Sequence, residues 1–222
     1  MYIKNRAAAL IVRIAALFSC GAGLYILSGI SGGRIRWMNL VYFTNLSNLA
    51  CLIFYIYLIA ITILGIKKSG VRGAGSPNAF LRGALMMMTT VTMLVYHFML
   101  SATGFVMLIN ANPLMSAANA LLHYAAPCLV LIDWLLFDEK KRFKAYYPVC
   151  WLGIPAIYFI FTVIRAQTGG AITGTGSRYP YYFLDADALG ISGVAVYLLM
   201  FAAGFAILGY LFYFIDNRGK KL

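Results

Sequence analysis

A cluster of hydroxyl, amide and imidazole side chains is the feature of this sequence with the clearest capacity for chemistry. Thr44, Ser47 and Asn48 follow the i, i+3, i+4 spacing that places side chains on one face of a helix. The two histidines of the chain are His97 and His123. A threonine or serine hydroxyl becomes a nucleophile when a neutral histidine removes its proton, and a side-chain amide can donate a hydrogen bond to the oxyanion that forms. These residue types are therefore typical of acyl transfer or ester hydrolysis.

Lipid is the predicted solvent for most of the chain that must position these residues. Of its 222 residues 63% are hydrophobic and only 11% are charged, which excludes an average soluble domain. A helix needs about 20 apolar residues to cross a bilayer core about 30 Å thick. We therefore predict an all-α fold, in which residues 1–222 form a single domain of six transmembrane helices. The predicted spans are about 7–30, 40–66, 80–109, 116–137, 147–164 and 188–215.

The distribution of basic residues predicts the orientation of this bundle. Thirteen Lys and Arg residues lie on the side of the two termini and four on the other side, while Arg13 lies within the first span. By the positive-inside rule both termini are cytoplasmic. Because the charges flank apolar segments, the formal charge of +12 is interpreted as contact with anionic lipid headgroups, and a nucleic-acid partner is rejected.

Helical spacing and depth predict one polar pocket in the outer half of the bundle. Asn119 and His123 share a face of the fourth span, as the residues around Thr44 do on the second. At 1.5 Å per residue, Thr44 lies about 6 Å, His123 about 10 Å and His97 about 18 Å from the outer ends of their spans. We expect these three side chains to line one pocket, with Thr44 and His123 about 3 to 6 Å apart.

The connection between the last two spans is predicted to cover this pocket. Residues 178–187 read RYPYYFLDAD, an aromatic and charged segment on the predicted outer side. Such a segment can fold back over a polar cavity. We expect Tyr181 and Asp185 to line the pocket together with Arg165, which ends a polar face of the fifth span.

Each of these polar residues also has a structural interpretation, which the sequence leaves open. Ser, Thr and Asn side chains commonly hydrogen-bond between transmembrane helices, and a buried histidine often donates to a backbone carbonyl. Asp133, near the inner end of the fourth span, is expected to pair with Lys140, Lys141 or a helix end. Two histidines without neighbouring carboxylates make a poor metal site, so we expect neither a metal nor a cofactor.

Three segments of the chain carry a resemblance to a known family. Residues 42–48 (YFTNLSN), 123–127 (HYAAP, followed by Asp133 and Trp134) and 179–185 (YPYYFLD) resemble landmarks of the androgen-induced protein family and its bacterial six-span relatives. The resemblance extends in order over nearly the whole chain. It implies an intramembrane threonine hydrolase of fatty acid esters of hydroxy fatty acids, in the plasma membrane of a bacterium. By this match Thr44 is similar to the nucleophile and His123 to the essential histidine.

The chain also departs from the eukaryotic pattern of that family. The eukaryotic pattern places its histidine one residue further from the following proline than His123 lies from Pro127. The residues around Thr44 are more polar here, and YPYYFLD is two residues longer than the YPFLE stretch that it resembles. The family comparison therefore leaves the reaction of this chain open.

Three functions are compatible with these observations. In the first, a lipid-ester hydrolase or acyl transferase, Thr44 attacks a fatty-acyl ester or membrane lipid and His123 takes its proton. Supporting or oxyanion-binding roles then fall to His97, Asn45, Ser47, Asn48 and Asn119. In the second, a non-enzymatic lipid-binding protein or small-molecule transporter uses the same pocket. In the third, the polar residues only join helices.

Overall fold

The structure, a computed structural model, describes residues 2–33, 35–172 and 176–218, and over these residues the chain is helical with no strand. The long helices are α1 (Arg6–Leu27), α2 (Phe43–Ser69), α3 (Ala79–Leu100), α5 (Pro113–Phe137), α6 (Tyr147–Thr168) and α7 (Ala186–Arg218), and a short helix α4 (Gly104–Asn110) lies between α3 and α5. Each of the six long helices is long and apolar enough to span a membrane. The predicted all-α, six-span class is confirmed for the described residues.

Polar caps begin several of the helices and glycine ends others. The Asn5 side chain accepts hydrogen bonds from the first turn of α1, and Asn112 does the same for α5, whose first residue is Pro113. Helix α2 ends at Gly70, which adopts φ 75°. These signals sharpen boundaries that hydropathy alone leaves uncertain by several residues.

Six spans place the two ends of the described chain on the same face of the bundle, here called the termini face. The connections 70–78 and 138–146 lie on this face, and the connections 28–42, 101–112 and 169–185 lie on the opposite face. Backbone contacts on the termini face join the N-terminal segment to its neighbours, since Ile3 N donates to Leu136 O and Arg6 N donates to Val71 O. The cytoplasmic location of the termini face stays a prediction.

The first five helices form the tighter part of the bundle. Helix α1 packs along α2 and α5, and α3 packs against both of these neighbours. On the termini face α6 packs closely, since the Trp151 ring lies against Gly83, where any Cβ would come within 1.9 Å of it. Helices α6 and α7 approach each other closely over Tyr147–Trp151 and hardly beyond it. A gap therefore separates them towards the opposite face.

The third span is shorter than predicted. Helix α3 ends at Leu100 with a π-helical turn over Tyr96–Leu100, and the chain bends before α4 begins. The Thr103 side chain caps α4 by accepting from Val106 N. The bend contains only a short polar stretch, residues 101–104 (SATG), between two apolar runs, so the predicted span of 80–109 joined two helices into one. The other spans differ from the predictions by at most four residues at either end.

A buried ion network corrects the expected pairing of Asp133. Its carboxylate lies 3.1 Å from Arg13 Nε and 2.6 Å from Arg82 Nη2, and Arg82 Nε lies 2.8 Å from the Asp138 carboxylate. Lys140 instead donates to Trp134 O and lies over the Trp134 ring. The prediction that Asp133 pairs with Lys140 or Lys141 was wrong, because two arginines distant in sequence supply the charges that hydrocarbon requires.

Candidate functional site

The hydroxyl of Thr44 and the imidazole of His123 form a direct contact. Thr44 lies in the first turn of α2 and His123 in the middle of α5. The distance between Thr44 Oγ1 and His123 Nε2 is 3.1 Å, and the two residues are 8% and 6% exposed. The predicted approach within about 3 to 6 Å is confirmed.

The other ring nitrogen of His123 defines which proton the ring carries. His123 Nδ1 lies 3.0 Å from the backbone carbonyl oxygen of Asn119, four residues earlier. A carbonyl oxygen only accepts hydrogen bonds, so Nδ1 is the protonated nitrogen of the neutral ring and donates to it. Nε2 then presents its lone pair to Thr44, whose hydroxyl donates. This is the arrangement that a general base for Thr44 requires.

A π-helical turn over Leu121–Ala125 positions His123, and Pro127 follows it. Proline has no N–H, so the carbonyl of Leu122, five residues earlier, lacks its partner in the π register. Asn48 Nδ2 donates to this carbonyl at 3.2 Å and also to Thr44 O at 2.9 Å. Asn48 therefore links the first turn of α2, which carries Thr44, to the π-helical turn of α5, which carries His123. Both hydrogens of its amide are engaged, which leaves none for an oxyanion.

Ser47 supports Thr44 in a similar way. Its hydroxyl donates to Thr44 O at 3.0 Å and lies 2.9 Å from the Thr92 hydroxyl of α3. Ser47 is completely buried and is not among the residues that line a cavity. Its contacts join α2 to α3 beside the candidate nucleophile.

Tyr96 is a site residue that sequence reasoning missed. Its ring stacks on the His123 ring with centroids 3.8 Å apart and an interplanar angle of 21°. Asn110 Nδ2 donates to the Tyr96 hydroxyl, and Asn119 Nδ2 donates to Asn110 Oδ1 at 2.7 Å. Asn119 thus orients His123 through its backbone and fixes α4 through its side chain. The available signal for Tyr96 was its position beside His97 in the span with the lowest mean hydropathy of the six.

His97 lies outside the pocket that it was predicted to line. Its side chain is exposed on the surface of the bundle, and His97 Nδ1 lies 3.2 Å from the Tyr124 hydroxyl. The π-helical turn over Tyr96–Leu100 widens α3, so the regular spacing by which His97 was placed fails there. Tyr96 faces His123 in its place. The prediction that His97 lines one pocket with Thr44 and His123 was wrong.

An apolar cavity and a polar cavity meet at Thr44 and Tyr181, which line both. The apolar cavity has a volume of about 390 Å³ and lies between α2, α3, α6 and α7. The polar cavity has a volume of about 1030 Å³ and lies towards the opposite face. Its polar lining includes Arg36, Asn39, Asn45, Asn112, Asn119 and His123.

The segment around Tyr181 covers the site as predicted, and Tyr181 itself reaches it. The Tyr181 ring stacks on Phe183 and makes edge contacts with Tyr42. Burial raises the pKa of the Tyr181 phenol to about 12, an effect that the Thr44 side chain and the N–H groups of Thr44 and Phe43 partly offset. The Tyr181 hydroxyl therefore stays protonated at neutral pH, beside the first turn of α2.

Asp185 and Arg165 stabilise the covering segment and are not among the residues that line either cavity. Asp185 accepts from Ser177 and from the N–H groups of Asp187 and Ala188 at the start of α7. Arg165 Nη1 donates to Arg178 O at 2.7 Å. The expectation that these two residues line the pocket was wrong, because both charges are used in fixing the connection 169–185.

Donors for a developing oxyanion lie close to Thr44. The N–H groups of Phe43 and Thr44 have no acceptor within the helix and lie beside the Tyr181 hydroxyl, whereas Asn45 N donates to Tyr42 O. They carry the positive end of the helix dipole. Asn45 lines the polar cavity, and its amide nitrogen donates one hydrogen bond, to Asn39 O at 2.6 Å. The candidate nucleophile and oxyanion donors thus lie in the first turn of α2, and the candidate base faces them from α5.

Comparison of the chain with models of known families, with curated proteins and with solved structures gives no significant match. The resemblance to the androgen-induced protein family rests on the motifs at 42–48, 123–127 and 179–185. These motifs supply Thr44, His123 and Tyr181, so the segments that carry the resemblance converge on one site. Membership of that family stays a prediction.

Proposed function

We propose that this protein is an intramembrane hydrolase or acyl transferase of lipid esters, with Thr44 as the nucleophile and His123 as the general base. The observation that carries the proposal is the contact of 3.1 Å between Thr44 Oγ1 and the unprotonated Nε2 of His123. The contact lies where an apolar and a polar cavity meet, which suits a substrate with an acyl chain on one side of the ester and a polar group on the other.

The reaction has two steps. Thr44 Oγ1 attacks the ester carbonyl while His123 Nε2 takes its proton, and the carbonyl oxygen becomes an oxyanion. The first N–H groups of α2 and the Tyr181 hydroxyl stabilise this charge. The C–O bond to the alcohol then breaks, and the alcohol leaves with the proton from His123. A water molecule or a second alcohol, deprotonated by His123, attacks the acyl-Thr44 ester. The bond to Thr44 Oγ1 breaks, His123 returns the proton to this oxygen, and the acid or the new ester is released.

The depth of the site suits an ester of a membrane lipid. Thr44 is the second residue of α2, so its hydroxyl lies near one end of a membrane-spanning helix and not in the middle. The ester groups of membrane lipids lie at a similar level, between the hydrocarbon and the headgroups. With both termini in the cytoplasm, as the basic residues favour, the site faces the outer leaflet.

Membership of the androgen-induced protein family is part of the same proposal. The convergence of its three motifs on one site supports it. The substrates are then fatty-acyl esters, and the membrane is the plasma membrane of a bacterium.

A long-chain alkyl fluorophosphonate tests the proposal directly, because phosphorus forms a bond to an activated hydroxyl as fluoride leaves. We expect mass spectrometry to locate the adduct on Thr44 of the purified protein. Thr44→Ala should remove the adduct and His123→Ala should reduce its rate of formation strongly. The control Thr168→Ala removes an exposed hydroxyl that donates to Ile164 O, and its labelling should match the parent. An unlabelled protein that still binds lipid would favour the lipid-binding alternative.

A further inference from the structure

We infer that the apolar cavity holds a single acyl chain, which enters sideways from the membrane through a portal between α6 and α7. The link to Thr44 rests on the proposed function. The inference adds the class of substrate, a lipid that is delivered from the bilayer and not an ester that arrives from water. The acyl side of the ester then lies in the apolar cavity and the alcohol side in the polar cavity.

The walls of the apolar cavity have the chemistry of a hydrocarbon site. The aliphatic and aromatic lining comes from α2, α3, α6 and α7 and includes Phe43, Val91, Val95, Leu152, Phe159, Leu198 and Phe205. The hydroxyls in the lining are engaged elsewhere, since Thr92 donates to Met88 O and Tyr158 donates to Val41 O. Away from Thr44 and Tyr181, a polar ligand would find few unsatisfied partners among the described lining residues.

The size of the cavity suits an acyl chain. Its volume of about 390 Å³ lies in the lower part of the range found for small-ligand sites, about 300 to 1,000 Å³. Leu152 and Ile160 lie at the two ends of the lining on α6, a separation of about 12 Å along the helix. These dimensions suit one chain that runs from Thr44 towards the termini face.

Exposed lining residues mark the portal. Ala156 and Ile160 of α6 and Ala202 of α7 line the cavity and are also exposed on the surface of the bundle. Ile160 is 56% exposed. The gap lies beyond Tyr147–Trp151, the part of α6 that packs closely on α7. Both edges carry a small alanine side chain, Ala156 on α6 and Ala202 on α7.

The depth of the portal in the membrane indicates which ligand passes through it. Ala156 is near the middle of the 22 residues of α6, and Ala202 is near the middle of the 33 residues of α7. The opening therefore faces the hydrocarbon of the bilayer, where acyl chains are the available ligand. The polar cavity, with Arg36, Asn39 and Asn112 in its lining, then receives the alcohol side of the ester.

A pair of alanine substitutions tests the portal. Ala202→Trp places a large ring in the opening, whereas Ala203→Trp adds the same ring at the next exposed position, which is not a lining residue. With p-nitrophenyl dodecanoate as substrate, Ala202→Trp should lower kcat/KM at least about tenfold. With p-nitrophenyl acetate, which has no chain to admit, it should leave kcat/KM unchanged. Ala203→Trp should leave both unchanged.

A photolabelling measurement separates failure of this inference from failure of the proposed function. Dodecanoic acid with a diazirine at its chain end needs no hydrolysis, and irradiation should attach it near Leu152 or Phe205 in the parent. Ala202→Trp should reduce this labelling at least about tenfold and Ala203→Trp should not. If neither ester is cleaved but this labelling pattern holds, the chain site stands and the proposed function falls. If the esters are cleaved but labelling lies elsewhere, or Ala202→Trp has no effect, the inference is overturned.

Discussion

Thr44 and His123 act as a unit in the proposed reaction, because an unassisted hydroxyl is almost fully protonated at neutral pH. We expect Thr44→Ala and His123→Ala each to lower kcat/KM for a lipid ester by at least about a thousandfold. The double variant should lose little more than either single variant. Thr44→Ser keeps the hydroxyl beside His123 Nε2 and should retain measurable activity.

Steady-state kinetics on well-folded protein in detergent would measure these losses. Thermal unfolding midpoints within a few degrees of the parent would show that the variants are folded. Hydrolysis by Thr44→Ala at the parental rate would remove Thr44 from the mechanism.

Tyr181 provides a second prediction at the scale of single residues. Its hydroxyl lies beside the N–H groups of Phe43 and Thr44, where the oxyanion is proposed to form. Tyr181→Phe keeps the ring that stacks on Phe183 and removes the hydrogen bond, and kcat should fall about a hundredfold with little change in KM.

The pH profile distinguishes this role of Tyr181 from catalysis by a tyrosinate. Because burial raises the pKa of Tyr181 to about 12, the phenol keeps its proton over the accessible pH range. The ratio of parental to variant kcat should therefore be constant between about pH 6 and pH 9. A ratio that rises steeply with pH would show that the tyrosinate is the active form, contrary to this assignment.

The contact of Thr44 with His123 could be predicted from the sequence, but the residues around it were misjudged. Thr44 lies where α2 is regular, and the depth of His123 followed from its span although it lies in a π-helical turn. Regular α-helical spacing also placed His97 in the pocket. This was wrong, because the π-helical turn at Tyr96–Leu100 leaves His97 on the surface of the bundle. A π turn depends on which carbonyls find other donors in the folded bundle, which helical periodicity does not report. Tyr96 was missed for that reason.

At the scale of elements, the π turn of α5 depends on a side chain from α2. Asn48→Ala leaves Leu122 O without the donor that Pro127 cannot supply. We expect the variant to lose about 1 to 3 kcal/mol of stability, because a buried carbonyl is left unpaired. His123 should also lose its alignment, so kcat/KM should fall although Asn48 does not touch the substrate.

Thermal unfolding in detergent would measure the loss of stability at Asn48. Asn217→Ala is a matched control, since Asn217 Nδ2 also donates to two backbone carbonyls, Phe143 O and Tyr213 O, but lies on the termini face. It should affect stability without changing the ratio of kcat/KM for long and short esters or the labelling of Thr44. Parental activity in Asn48→Ala would contradict the proposed positioning.

The number and class of the helices could be predicted because each span depends on length and hydropathy alone. The break between α3 and α4 was missed, because the apolar runs on both sides outweigh the short stretch 101–104 (SATG), in which Thr103 caps α4. The covering role of residues 178–187 followed from their composition. The contacts of Asp185 and Arg165 did not, because they are set by how the connection folds back on itself.

At the scale of the whole molecule, the distribution of basic residues predicts the orientation. The excess on the termini face persists without Arg82, which the ion network buries. A reporter fused after the last residue should therefore be active in the cytoplasm and inactive outside. Fusion of the same reporter within the connection 169–185 should give the reverse pattern. Matching reporter activity at both positions would contradict a six-span topology with both termini inside.

The ion network provides the last prediction, since it joins α1, α3 and α5 on the termini face. Arg13, Arg82, Asp133 and Asp138 carry two positive and two negative charges and are almost fully buried. Removing one member leaves an unpaired charge, which costs about 3 to 5 kcal/mol. Arg13→Met and Asp133→Asn should each destabilise the protein strongly, whereas the double variant keeps the Arg82–Asp138 pair and no net charge. It should be more stable than either single variant.

The stability of these two variants should also respond differently to pH. Burial raises the pKa of Asp138 from 3.8 to about 6, although Arg82 lowers it. The folded protein therefore retains the Asp138 proton to higher pH than the unfolded chain, so acidification from about pH 7 to pH 5 favours the folded state at this position. Arg13→Met, with an excess negative charge, should regain part of its stability on this change because Asp138 can take up a proton. In Asp133→Asn the excess positive charge keeps Asp138 ionised, so this variant should gain little or no stability on the same change. Unfolding midpoints at the two pH values would measure both effects, and parallel shifts in the two variants would show that the four charges do not act as one network.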